Sequence, residues 1–112
     1  MNWELLTDEA QLDLIVEKSK KEPVVIFKHS IRCNISSMAK ARLEREIAPA
    51  GVHFYLLDLL KYRSISSKIA EQFRVVHQSP QVLLIRNGDC IYDESHNGIE
   101  MDEIAEQASL VK

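Results

Sequence analysis

Val24-Val25-Ile26-Phe27-Lys28-His29-Ser30-Ile31-Arg32-Cys33-Asn34-Ile35-Ser36 passes from a short apolar run, through a lone cysteine, into a helical pattern. Val24 to Phe27 has the β-branched and aromatic content of a strand. Downstream, Ile35, Met38, Ala39, Leu43 and Ile47 recur at helical spacing, so a helix is predicted from Cys33 to about Ala48, where Pro49-Ala50-Gly51 stops it. Cys33 therefore stands at a strand-to-helix junction. There it faces the N–H groups that a first helical turn leaves unpaired, a setting that stabilises a negative sulfur. A redox Cys-x-x-Cys pair would carry its second sulfur at residue 36, and serine occupies that place. One sulfur without a partner points to single-thiol exchange.

Working outward, Thr7 to Lys20 reads as a helix with Leu12, Ile15 and Val16 inward and Thr7 as N-cap; Pro23 ends it and introduces the strand. His53 to Asp58 is a second strand, and Tyr62 to Phe73 a helix carrying Ile65, Ile69, Ala70 and Phe73. Val82-Leu83-Leu84-Ile85, preceded by Ser79-Pro80, is a continuous apolar strand of the kind buried on both faces. Asn87-Gly88 is a type I′ hairpin signal, Cys90-Ile91-Tyr92 the return strand, and Glu100 to Val111 a last helix with Ile104, Ala108 and Val111 inward. The order is α-β-α-β-α-β-β-α. Helices between the early strands imply parallel crossovers, and the hairpin adds an antiparallel edge, giving an α/β protein with a central four-stranded mixed sheet. No linker, repeat or low-complexity stretch interrupts it, so one domain is expected over residues 1–112.

Bulk properties exclude several classes. A net charge of −3, with no basic block, gives no reason to expect nucleic-acid binding. Apolar runs of about six residues fall far short of a membrane span, so no membrane partner is expected. No basic leader region precedes an apolar run, so a secretory signal is not expected and a cytoplasmic location is. Two cysteines are too few for a disulfide scaffold or zinc cluster, and His29, His53, His77 and His96 lack metal-ligand spacing, so no metal is expected. Lys28, Arg32, Lys40 and Arg42 cluster around Cys33, whereas Asn87 to Val111 holds seven acids and no Lys or Arg. Such charge is expected mainly on solvated faces, with a positive rim near the thiol as the functional reading.

This order, the cysteine at the first βα junction, and the run Phe73 to Asp89 with Ser79-Pro80 and Asn87-Gly88 resemble the thioredoxin fold over nearly the whole chain. Within that fold, Phe27-Lys28-His29-Ser30, Arg32-Cys33 and Ile35-Ser36 are similar to the monothiol bacilliredoxins, whose centre is of Cys-Pro-Ile-Ser type. The resemblance implies Cys33 as nucleophile and Pro80 as a cis-proline beside it. X-Pro bonds are cis in only ~5–6% of cases in folded proteins, so residue statistics alone would read trans. It also implies bacillithiol as thiol co-substrate with no bound cofactor, S-thiolated cytosolic proteins as partners, and a second small thiol or a separate disulfide reductase to regenerate Cys33. Bacillithiol's malate carboxylates would suit Arg32, Lys28 or Lys40. Asn34 departs from the family proline; it makes the first turn looser and keeps an N–H that can face the sulfur.

Around the thiol, Arg32 and the helix N-terminus favour thiolate, and Ser36, one turn on, is placed either to donate to it or to bond its own backbone. Ser79 would present its backbone to an incoming substrate strand beside Pro80. His29 is expected more as a surface or capping group than as a catalytic base, with a place on the substrate side of the thiol; a Cys-His hydrolase built on it would need an orienting residue that nothing marks. Cys90, opposite Ile85 in a two-residue hairpin, shares a face with Leu83, Ile85 and Tyr92, and is expected to pack rather than resolve. Two other readings stand beside exchange with bacillithiol: a redox sensor or binding module whose cysteine is modified without turnover, and a glutaredoxin-like protein using another small thiol.

Overall fold

The computed structural model describes residues 1–111; residue 112, the last of the expected domain, lies outside the described residues. In chain order the elements are β1 (Trp3–Leu5), α1 (Gln11–Ser19), β2 (Val24–His29), α2 (Asn34–Glu44), β3 (His53–Asp58), α3 (Arg63–Phe73), β4 (Gln81–Arg86), β5 (Asp89–Ser95), a 3-10 turn (His96–Gly98) and α4 (Met101–Ser109). The sheet runs β1-β3-β2-β4-β5. β3 pairs parallel with both β1 and β2, while β4 is antiparallel to β2 and β5. This is the expected mixed sheet with one strand more than predicted. Trp3-Glu4-Leu5 is too short to show a period of two, yet it pairs Trp3 with Phe54 and Leu5 with Leu56 at the edge of β3.

All six residues of β2 are buried, because helices cover both faces of the sheet. On one face Leu12 and Ile15 of α1 join Ile65, Ile69 and Phe73 of α3 over Val24 and Ile26. On the other, Ala39 and Leu43 of α2 join Met101, Ile104 and Ala108 of α4 over Val25 and Phe27.

Two helix boundaries move inward by four residues from those expected, and the last helix, expected to reach Val111, ends at Ser109 and leaves Val111 outside it. Gln11 Oε1 accepts from the Thr7 and Asp8 amides at 2.8 and 2.9 Å, so residues 7–10 form a turn; Thr7 does not cap, and α1 starts at Gln11. α2 ends at Glu44, which leaves Ile47 outside it and 94% exposed. Ile35 and Met38 are also exposed, so only Ala39 and Leu43 of the expected stripe are buried.

The hairpin has the predicted left-handed pair, Asn87 at φ 54° and Gly88 at φ 80°. Ile85 faces Cys90 as expected, but Leu84 faces Tyr92, leaving Ile91 as an extra residue in β5. That bulge reverses the alternation. Cys90 packs with Ile85 on the α1/α3 side and Tyr92 on the opposite side, so they do not share a face. The outer strand β5 carries Asp89, Asp93 and Glu94.

Candidate functional site

β2 delivers the chain to the sheet's end, where residues 30–33 turn into α2. Cys33 is the N-cap residue, extended at φ −109° and ψ 118°, and half-buried. Its N–H donates to Ser30 O at 3.2 Å, and its carbonyl accepts from the Ser37 N–H at 3.0 Å. The sulfur is thus held at the start of α2, next to the unpaired amides of its first turn.

Ser36 is fully buried. Its Oγ accepts from the Ser30 N–H at 2.9 Å and lies 2.7 Å from His29 Nδ1. The hydroxyl where a second redox cysteine would stand therefore ties the thiol loop to the end of β2. Its single proton can go to His29 Nδ1, or, when Nδ1 itself carries a proton, it is free for another acceptor such as the thiolate. His29 is buried and stacks on Phe27 with centroids 5.7 Å apart. Burial, then the charge of Lys40, pushes its pKa down, with Asp58 and Glu44 opposing. His29 is neither the surface group nor the cap that was expected. The expected rim beside it has mostly found partners. Lys40 pairs with Glu44 at 2.9 Å, and Arg42 donates to the Ile99 and His96 carbonyls. Arg32 and Asn34, flanking Cys33, are exposed.

Ser79-Pro80 is a cis peptide. Gln81 follows it and pairs with Lys28, so Pro80 lies at the same end of the sheet from which β2 leads to Cys33. The buried Gln81 side chain donates to Val76 O at 3.0 Å and accepts from the Gln78 N–H at 3.3 Å, strapping the loop before the proline. The Ser79 hydroxyl oxygen is buried with no hydrogen-bond partner among the described residues. Cys90 stands apart in the hairpin. Its thiol donates to Tyr92 O at 3.3 Å, and burial pushes its pKa up to about 11, the state of a packed and unreactive group.

A cluster that sequence reasoning did not assemble lies under the same end of the sheet. Lys28 is fully buried, with Nζ 3.1 Å from Ser66 O and 3.2 Å from His77 Nδ1. The available signal was a lone lysine in a run otherwise buried on both faces. Among the described residues no group of three or more His, Cys, Asp or Glu is placed to hold a metal ion, and no helix is long and apolar enough to cross a membrane.

The family model described as monothiol bacilliredoxin BrxC matches residues 4–104, which takes in β2 to β5 entire, all of β1 but Trp3, the Cys33 junction and Ser79-Pro80. The chain belongs to the monothiol bacilliredoxin family. Among solved structures, one described as a candidate oxidoreductase with a thioredoxin fold is similar at TM-score 0.81 and 28% identity, over 94% of this chain and 91% of that one. The thioredoxin of Malassezia sympodialis aligns at TM-score 0.72 and 17% identity, covering 98% and 90% of the two chains. That of Fasciola hepatica aligns at 0.71 and 18%, covering 96% and 98%. At those identities the two thioredoxins speak for the fold alone. This bacilliredoxin thus has a thioredoxin-like oxidoreductase fold, and family membership supports thiol redox chemistry as its function.

Proposed function

We propose that this bacilliredoxin removes bacillithiol from protein mixed disulfides in the cytosol, through Cys33 alone. One observation carries the monothiol reading. The residue one turn past Cys33 is a serine bonded to Ser30 and His29, while the other thiol, Cys90, is packed in the hairpin with its pKa pushed up to about 11. Neither can resolve a disulfide at Cys33, so a second molecule must.

In the first step the Cys33 thiolate attacks the bacillithiol sulfur of a protein–bacillithiol disulfide. The new bond joins Cys33 to bacillithiol, and the protein thiolate leaves and takes a proton. In the second step a bacillithiol thiolate, or a separate disulfide reductase, attacks the adduct and regenerates Cys33. With bacillithiol as reductant, protein disulfide and thiol become protein thiol and bacillithiol disulfide, and electrons balance without any bound cofactor. The roles proposed for the surrounding residues follow from their places. Arg32 and Asn34 flank the exchanging sulfur at the start of α2, and Ser36 and His29 fix the loop that holds it. The Ser79 backbone, with its unpartnered hydroxyl, and Pro80 receive the substrate. Exposed Ile31, Ile35, Met38 and Val76 offer apolar contact to client proteins.

Mass spectrometry of the protein mixed with a bacillithiolated client tests this. The expected result is a bacillithiol adduct on Cys33 with release of reduced client, lost in Cys33→Ser and kept in Cys90→Ser. An absent adduct with no client released would overturn it. One adduct per chain with no turnover when bacillithiol is supplied would identify a sensor, and equal rates with glutathione mixed disulfides a less selective exchanger.

A further inference from the structure

The buried Lys28 ammonium has two acceptors, and both are neutral: Ser66 O at 3.1 Å and His77 Nδ1 at 3.2 Å. No carboxylate pairs with it among the described residues. A buried charge without a counter-charge is costly, and such groups persist where function uses them. Burial lowers the pKa of Lys28 to about 8, so the ammonium is still largely charged at pH 7. Beside this cluster lies a cavity of about 480 Å³, lined by Leu59, Arg63, Ser66, Ser67, Ala70 and His77. The lining brings a guanidinium, two hydroxyls and an imidazole, and no acid. Because Lys28 donates to His77 Nδ1, the neutral ring carries its proton on Nε2, and its outer edge is a donor.

The cavity also shares an end of the sheet with the thiol. Lys28 pairs with Gln81, His77 precedes Pro80 by three residues, and the Leu59 amide bonds His29 O at 3.0 Å, so the cavity stands at the Cys33 end of the sheet. Of the other cations near the thiol, Lys40 and Arg42 already have partners, and Arg32 is exposed to solvent beside Cys33.

Building on the exchange reading above, we propose that this cavity is the carboxylate-binding subsite for the small thiol. Arg63 and His77 Nε2–H are its direct donors. Lys28 is a positioning residue that fixes the His77 tautomer and supplies the positive charge beneath.

The test compares two mixed disulfides on one carrier protein, made with bacillithiol and with cysteamine, which has a thiol and no carboxylate. The wild-type protein is expected to favour bacillithiol in kcat/KM by about tenfold or more, as for a hydrogen bond to a charged group. Arg63→Ala and His77→Phe should each bring that ratio toward one, while Lys68→Ala, a charge lost from α3 outside the cavity, should keep it. Nitrogen NMR of His77 should show the Nε2–H tautomer in wild type and in Arg63→Ala and its loss in Lys28→Met, a change that repacking alone would not produce. A ratio near one in wild type, a ratio unmoved by Arg63→Ala and His77→Phe, or a rate that follows the carrier's acidic residues instead of the small thiol would overturn the proposal. Failure of the exchange reading would look different, with no carrier released from either disulfide. In that case calorimetry of bacillithiol disulfide with the Cys33→Ser protein decides: binding weakened about tenfold by Arg63→Ala supports the subsite, and unchanged or absent binding overturns it.

Discussion

Ser36 and Lys28 are buried polar side chains within eight residues of each other, and they affect stability in different ways. Ser36→Ala leaves the Ser30 amide and His29 Nδ1 without that partner in a buried site, so it should cost about 1–3 kcal/mol and loosen the thiol loop. Chemical denaturation measures the first, and faster amide exchange at Ser30 reports the second. Lys28 is a base whose pKa is lowered on folding, from 10.5 to about 8. Between those pH values the unfolded chain binds more protons, so this contribution to stability is present above pH 10.5 and is lost as pH falls through about 8. Lys28→Met should therefore gain most over wild type below pH 8, by about 2–3 kcal/mol, with the advantage shrinking toward pH 10.5. Denaturation of both proteins across that range checks it, and a gap that widens with pH would contradict it. Cys33 and its lack of a partner were legible in the sequence because they rest on local spacing. The Lys28 cluster was not, because its partners lie 38 and 49 residues away and no local pattern announces that they converge.

Among the elements, α2 shows where periodicity succeeds and where it overreaches. Ala39 and Leu43 face the sheet, but the same spacing extended to Ile47 passes the helix end at Glu44. Leu43→Ala should cost about 2–5 kcal/mol through the cavity it leaves, while Ile47→Ala, at an exposed position, should stay within about 0.5 kcal/mol. Similar losses in both would mean that α2 continues to Ala48. The hairpin carries a related lesson. Asn87-Gly88 announced the turn and the Ile85–Cys90 pairing, because turn chemistry is local. The bulge at Ile91 came from neither composition nor period, and it sent Tyr92 to the other face.

At the scale of the molecule, the alternation of helices and strands was enough for the mixed sheet, and a family resemblance was needed for the cis bond at Pro80. The missing strand was β1, whose three residues gain order from partners far along the chain: Trp3 meets Phe27 and Phe54 and donates from Nε1 to Glu44 at 2.8 Å. Trp3, the sole tryptophan, thus reports on the sheet edge, on β2 and on α2 together. Urea unfolding followed by its fluorescence and by far-ultraviolet circular dichroism should give one coincident transition, as for a single cooperative domain. An earlier fluorescence change would show β1 fraying first. Partly unfolded chains add readily to open strand edges. Here one outer strand is only three residues long, and the other presents Asp89, Asp93 and Glu94. An incoming strand would have little length to pair with on one side and would meet carboxylates on the other, so both edges of the sheet resist being extended into an aggregate.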